Sequence, residues 1–162
     1  MIIIITNDGN ILNMIGKHGQ YTPMNMKKYV GSKLPLYRST WELRAFISLD
    51  RNENIIKWGS ENFIIPYVDE TRGFETHRYV IDLFFEIAGT QDGRPIKWLI
   101  EIKPYKQSVT PKPSKRKSPE KILNETLIVK RNHCKWKAAI KFCQARGWHF
   151  GIYTEKGITK LC

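Results

Sequence analysis

Apolar residues change their period several times along this chain, and each change marks an element. From Ser39 the pattern is helical: Ser39 offers an N-cap with Glu42 three residues on, and Leu43, Phe46 and Ile47 recur at one-face spacing. A helix over about 40–50 is predicted. Residues 52–60 read as a turn and 63–67 as a first strand, with Pro66 placing it near an edge. Two apolar runs, YVIDLFFEI at 79–87 and WLIEIK at 98–103, flank Gln91-Asp92-Gly93-Arg94, and Asp-Gly between such runs is a strong hairpin signal. Strands over 77–87 and 96–103 follow. With Asp92 and Gly93 as the loop, Gln91 pairs with Arg94, Asp82 faces Lys103 and Phe84 faces Glu101. Strand side chains alternate, so Glu101 and Lys103 share one face while Trp98, Ile100 and Ile102 take the other. Asp82 then lies diagonal to Glu101 on the shared face.

Pro104 ends the third strand. Residues 104–119 hold Pro111, Pro113 and Pro119 among Lys106, Lys112, Lys115, Arg116 and Lys117, a basic Pro-rich loop. Ser118 and Pro119 make an N-cap and first-turn pair, after which Ile122, Thr126, Val129, His133, Trp136, Ile140 and Cys143 step by fours and threes to a stop at Gly147. A long helix is predicted there, then a short strand over 149–153. Residues 1–36 read as an irregular arm, basic at Lys17, Lys27, Lys28 and Lys33, that could lie along a partner. The order is helix, three strands, helix, strand, with no internal repeat. The expected class is α/β (α+β), in one domain over 1–162: an arm at 1–36, a helix and three strands at 37–103, the loop at 104–119, and the long helix and last strand at 120–153.

Charge then narrows the partner. The chain has 162 residues, 27 Lys plus Arg against 15 Asp plus Glu, and a net charge of +12. Such a surplus repels itself unless a polyanion meets it, and nucleic acid is the default candidate. An anionic membrane is the competitor, but the longest wholly apolar run is at 1–5, far too short to span a bilayer, and it lacks the marks of a signal peptide. A soluble cytosolic protein is expected. Cys134, Cys143 and Cys162 are odd in number and show no CxxC spacing, so reduced thiols are expected. His133, Cys134, Cys143 and His149 match no standard zinc spacing.

The acids suggest a chemistry that suits a polyanion. Phosphodiester hydrolysis needs an activated water and neutralisation of charge building on phosphorus, and a divalent metal supplies most of both. Mg²⁺ keeps several waters and takes one or two protein carboxylates, a demand Asp82 and Glu101 could meet, with the Ile102 carbonyl as a third ligand. Lys103 would stand beside the ion's water and steady negative charge. Glu42, at the start of the first helix, could hold a second ion or its water. A solvated strand edge is the commoner origin of an ExK triplet, but Asp82 interrupts YVIDLFF where a core residue is expected, and a buried acid without a purpose is costly.

With Asp82 on the second strand, Glu101-Ile102-Lys103 on the third and Glu42 on the first helix, the chain resembles the PD-(D/E)XK nuclease superfamily. Over residues 21–153 it is more narrowly similar to the head completion nucleases of large contractile-tailed phages. The residues that carry this likeness are Tyr37-Arg38-Ser39-Thr40-Trp41-Glu42-Leu43, Lys57-Trp58, Ile65-Pro66-Tyr67, His77-Arg78-Tyr79, Ile100-Glu101-Ile102-Lys103-Pro104-Tyr105-Lys106-Gln107 and Lys135-Trp136-Lys137-Ala138-Ala139. It also resembles transposase endonucleases of the TnsA kind, which share the helix glutamate. The resemblance implies a restriction-endonuclease-like αβββαβ core, a central mixed sheet flanked by helices. It implies a Mg²⁺-dependent DNA nuclease, with Mn²⁺ able to substitute. That nuclease would have endo- and exonuclease action of low sequence specificity on double-stranded packaged DNA, late in virion assembly, and would let heads join tails. The setting would be the cytoplasm of an infected host, with virion association and contact with portal or other head-tail connector proteins as further expectations. Ile81 stands where the superfamily has its proline, which leaves the ligand itself intact, and the first ten residues lie outside the pattern.

Other residues carry two readings each. Arg38 and Ser39 could bind phosphate at a helix N-terminus or simply cap it. Glu42 fits a capping box as well as a metal site. His77 could carry a proton or touch phosphate, though an exposed histidine at a strand start is more frequent. Arg78 and Lys106 could contact the DNA backbone. Lys135, Lys137, Lys141 and Arg146 lie off the apolar stripe of the long helix, whose Trp136 is expected in the core rather than as a stacking platform. Phosphate contacts carry no sequence information, so weak specificity and steep salt dependence are expected. The competing functions are a basic DNA-binding head-tail joining protein without chemistry, and a TnsA-like transposon or repair endonuclease.

Overall fold

The computed structural model describes residues 18–89, 93–112 and 117–162. Helices α1 (Thr40–Arg51) and α2 (Pro119–Gln144) start where their caps predict. Ser39 Oγ accepts from the Glu42 amide at 3.2 Å and Ser118 Oγ from the Lys121 amide at 3.3 Å, each satisfying an amide that a helix start leaves bare. Beyond α2, Gly147 adopts φ 65°, and the chain turns so that the Trp148 amide reaches the Cys143 carbonyl at 2.9 Å.

The strands are β1 (Gly19–Gln20), β2 (Leu36–Tyr37), β3 (Ile55–Ser60), β4 (Ile64–Asp69), β5 (Glu75–Val80), β6 (Leu83–Ile87), β7 (Ile96–Ile102), β8 (His149–Thr154) and β9 (Gly157–Lys160). Five of them form a mixed sheet in the order β3-β6-β7-β8-β9, while β1–β2 and β4–β5 make separate two-stranded pairs. Followed through the sheet alone, the chain runs α1, β3, β6, β7, α2, β8, with β9 added at the end. That is the expected αβββαβ order and a restriction-endonuclease-like architecture.

Three strand assignments change. Residues 52–60 are not all turn: a turn at Asn52–Asn54 leads into β3, the first strand of the sheet. A bulge between Ile55 and Lys57 breaks its alternation, so Ile55, Trp58 and Gly59 are buried while Ile56 and Lys57 are not, and no period-2 signal survives. The strand expected over 63–67 belongs to the β4–β5 ribbon, where Pro66 sits opposite Arg78. The strand expected over 77–87 is two strands, because its halves have different partners: β5 pairs with β4 and β6 with β3. The break falls at Ile81 and Asp82. β9 also follows the last strand, an addition to the expected order. β6 and β7 are sheet neighbours, as the hairpin requires; Gln91 and Asp92, on which the counted register rests, lie outside the described residues.

Contacts group the chain into two compact units, one holding the residues up to Asn62 with Asp82–Trp98, the other Phe63–Ile81 with Leu99–Cys162. In the first, Trp58 is fully buried against Phe46, Tyr29 and Tyr21, with ring centroids at 5.6, 4.8 and 6.1 Å. Residues 18–36 are mostly irregular yet pinned. The buried Asp50 carboxylate accepts from the Tyr21 hydroxyl at 2.8 Å and the Met24 amide at 2.6 Å, and Lys28 Nζ donates to the Asn52 carbonyl at 2.9 Å, beyond the α1 C-terminus. Lys17 lies outside the described residues.

In the second unit α2 packs on β4 and β8. Val129, Asn132, Trp136, Ala139 and Cys143 form its buried face. Trp136 is core as expected, whereas His133 is exposed and Ile122 and Ile140 are half-buried, so the face is turned by about a residue from the predicted stripe. The ends of the basic segment are held: the Tyr105 amide donates to Glu155 Oε2 at 2.7 Å, Asn132 Nδ2 to the Gln107 carbonyl at 3.0 Å, and Lys117 Nζ to Glu125 Oε2 at 2.5 Å. Pro113, Lys115 and Arg116 lie outside the described residues. Among the described residues no helix is long and apolar enough to cross a membrane.

Candidate active site

β7 is the third of the five sheet strands, and from Leu99 to Ile102 it is buried at every residue, on both faces. On such a strand a carboxylate must be paired, and Glu101, 1% exposed, is. Its Oε2 accepts from the Tyr79 hydroxyl at 2.8 Å, and its Oε1 lies 2.9 Å from Lys103 Nζ. Lys103 is just past the strand end, its amide bonded to the Tyr153 carbonyl at 3.0 Å and its side chain 26% exposed. The alternation predicted for Glu101 and Lys103 thus brings both to one place, with Ile102 buried between them. Tyr79 is itself buried on β5, and sequence reasoning gave it no role at the site; its sequence signals are its place in the same apolar run as Asp82 and in the His77-Arg78-Tyr79 stretch that carries the resemblance.

The first unit gathers a second set. Glu42 Oε1 accepts from Ser39 Oγ at 3.0 Å and Oε2 from the Arg38 amide at 2.8 Å, so the capping geometry forms with both carboxylate oxygens engaged. Arg38 reaches Glu61 Oε1 at 2.5 Å. That hydrogen bond and the Glu61 charge, followed by the charges of Glu42 and Asp82, push the Arg38 pKa up despite some desolvation. Asp82 stands at the break before β6, half-buried, and its carbonyl accepts from the Glu61 amide at 3.2 Å. Glu61 has a φ of 57°, uncommon for a residue with a Cβ, and was not foreseen as part of the site.

The candidate DNA contacts differ in exposure and in the partners they already have. Ser39 is committed to its cap, and Arg78 and Lys106 are exposed. His77 is half-buried near the Tyr67 ring, with Nε2 3.5 Å from Glu75 but in no hydrogen bond. Lys135 Nζ lies over the Tyr79 and Tyr67 rings at 5.5 and 5.8 Å, and Lys137 faces Glu70 at 3.9 Å.

Among the described residues no three His, Cys, Asp or Glu side chains gather into a cage for an ion. The donors that the candidate residues offer are carboxylate oxygens, the ligand type that Mg²⁺ takes one or two of while keeping its waters. Glu101 fits such a role: it is an oxygen donor fixed by hydrogen bonding, with one oxygen turned to a cationic group.

The family model for the TnsA-like endonuclease N terminal matches residues 52–155. The head completion nuclease of Enterobacteria phage T4 is 38% identical over 147 residues, a span that covers 88% of this chain and 94% of that protein.

Proposed function

Because the chain belongs to the TnsA-like endonuclease family and is a nuclease by that kinship, we propose that it is a Mg²⁺-dependent DNA nuclease of the head completion type. It cuts double-stranded packaged DNA by endo- and exonucleolytic action with little sequence preference, and prepares heads to join tails. Mn²⁺ substitutes for Mg²⁺. The observation that supports this reading most is the Glu101 carboxylate, buried, hydrogen-bonded by Tyr79 and facing the Lys103 ammonium.

In this reading Asp82 and Glu101 hold the ion with the Ile102 carbonyl. A bound Mg²⁺ supplies Lewis acidity toward the scissile phosphate and makes water acidic enough to attack at neutral pH. Lys103 orients the water by hydrogen bonding and steadies negative charge as it builds on the phosphoryl oxygens. Glu42 accepts from water or holds a second ion. Arg38 and Ser39 at the start of α1, with His77, Arg78, Lys106, Lys135 and Lys137, meet phosphates and position the duplex without reading bases. Portal or other head-tail connector proteins are its partners in the infected cell, and the whole chain acts as one nuclease domain.

The test is purified protein on supercoiled and linear DNA, with Mg²⁺, with Mn²⁺ and with EDTA. Nicking and linearisation that need the ion are expected. DNA binding without cutting under every condition would instead support a non-catalytic joining protein.

A further inference from the structure

A carboxylate's last torsion is broad and roughly two-fold, so a glutamate does not aim its oxygens by rotamer preference alone. Burial alone does not aim them either; a hydrogen bond does. For Glu101 that bond comes from Tyr79, at 2.8 Å to Oε2, from a side chain only 2% exposed. Oε1 is the oxygen that Lys103 touches. We infer that Tyr79 is a positioning residue, whose hydroxyl fixes the plane of the Glu101 carboxylate and so sets the affinity of the chain for its divalent ion. The inference rests on the reading of Glu101 as a metal ligand.

Three neighbours hold Tyr79 in turn. β5 pairs it opposite Ile65 on β4. The Tyr67 ring meets it edge-on with centroids 6.3 Å apart. Lys135 Nζ, from α2, stands over its face at 5.5 Å. A cation over the ring is attracted to its π density and draws electrons from the phenol, which strengthens the hydroxyl as a donor toward Glu101. The β4–β5 ribbon lies outside the five-stranded sheet, so its buried tyrosine gives it a role at the site: it orients a group that β7 carries. Hydrogen-bond partners of metal ligands typically contribute 10- to 100-fold in metal affinity.

The full chain carrying Tyr79→Phe keeps the ring and loses only the hydroxyl. Its binding of Mn²⁺ is measured by calorimetry without DNA, beside the Mn²⁺ dependence of cleavage and binding to DNA in EDTA. The expected result is Mn²⁺ affinity about 10- to 100-fold weaker, the cleavage midpoint shifted by the same factor, and DNA binding unchanged. Lys135→Met, which leaves the hydroxyl in place, is expected to weaken Mn²⁺ binding by a smaller factor, whereas loss of a positive charge alone would tighten it; where Tyr79→Phe folds poorly, unchanged or tighter Mn²⁺ binding in Lys135→Met overturns the inference. Unchanged Mn²⁺ affinity in Tyr79→Phe, with a wild-type chain that binds the ion and cuts, overturns the inference alone. A wild-type chain that neither binds Mn²⁺ nor cuts overturns the reading of Glu101 and the inference with it.

Discussion

Lys103 Nζ stands 2.9 Å from Oε1 of Glu101, a carboxylate that is 1% exposed. The two are separated by one residue near the end of a strand buried on both faces, and the strand's period alone puts them together. Without a neighbouring cation the carboxylate would carry an uncompensated charge in the core, a need that the ammonium meets and that the metal proposed for this site would share.

Lys103→Met keeps most of the length of the side chain and removes its charge. Cleavage is expected to fall by about 10²- to 10³-fold, the usual loss when one stabilising donor is taken from a transition state. DNA binding in EDTA, read by mobility shift, should persist. Lys103→Arg should not restore the rate, because a planar fork does not reproduce a point donor.

Glu42 separates its two readings by one substitution. The one amide oxygen of glutamine can still accept from the Arg38 amide while its NH2 donates to the Ser39 hydroxyl, so Glu42→Gln should leave thermal stability nearly intact. Loss of the charge should still cut nuclease activity at least about tenfold if the residue holds water or an ion. Glu42→Ala should lose activity and also about 1 kcal/mol of stability, as lost caps do. Full activity in the glutamine variant would leave the residue a cap.

The sequence disclosed the parts of this molecule with local signatures. Ser39 and Ser118 announced their helices, Gly147 announced the stop, and Glu101 with Lys103 followed from strand period alone. β3 was hidden because its bulge sets buried Ile55 and Trp58 out of alternation. The exchange of partners at Asp82 was hidden because no Gly or Pro parts the two halves of YVIDLFFEI, and pairing with β4 or β3 is decided by tertiary contacts. Tyr79 was missed because a tyrosine in an apolar strand has the look of ordinary core, and only its hydroxyl's partner tells otherwise.

Acid should find a weak point in the β4–β5 turn. Asp69 is buried there, bonded by the Thr71 amide and hydroxyl at 2.9 and 2.6 Å and by Arg131 Nε at 2.9 Å. Burial pushes its carboxyl up, but the Thr71 bonds and the Arg131 charge together outweigh burial and hold it below the ordinary value. A depressed folded pKa gives stability that is full above the unfolded value, about 3.9, and is lost as pH falls through the folded one. Arg131→Met removes one donor from a buried acceptor, worth about 1–3 kcal/mol. At ~2–4 °C per kcal/mol the melting temperature should drop by several degrees at pH 7, and this deficit should shrink once Asp69 is protonated. Calorimetric scans from pH 7 to pH 2 would read both, and a deficit that does not vary with pH would contradict the assignment.

Lys137 and Lys141 are exposed on α2. If they meet phosphates, replacing both by alanine should weaken DNA binding alike on unrelated sequences and flatten the slope of log K against log salt by about 0.9 for each phosphate no longer neutralised. An unchanged slope would place the duplex elsewhere.

The claim on which the rest turns is that Asp82 and Glu101 grip one ion, and Mn²⁺ affinity measured by calorimetry on the wild type, Asp82→Asn, Glu101→Gln and the double variant tests it most directly. Each single change should remove most of the affinity, and the double variant should be little worse than either, because two ligands of one site do not lose it twice. Losses that simply add, or a single variant that binds Mn²⁺ as the wild type does, would contradict it.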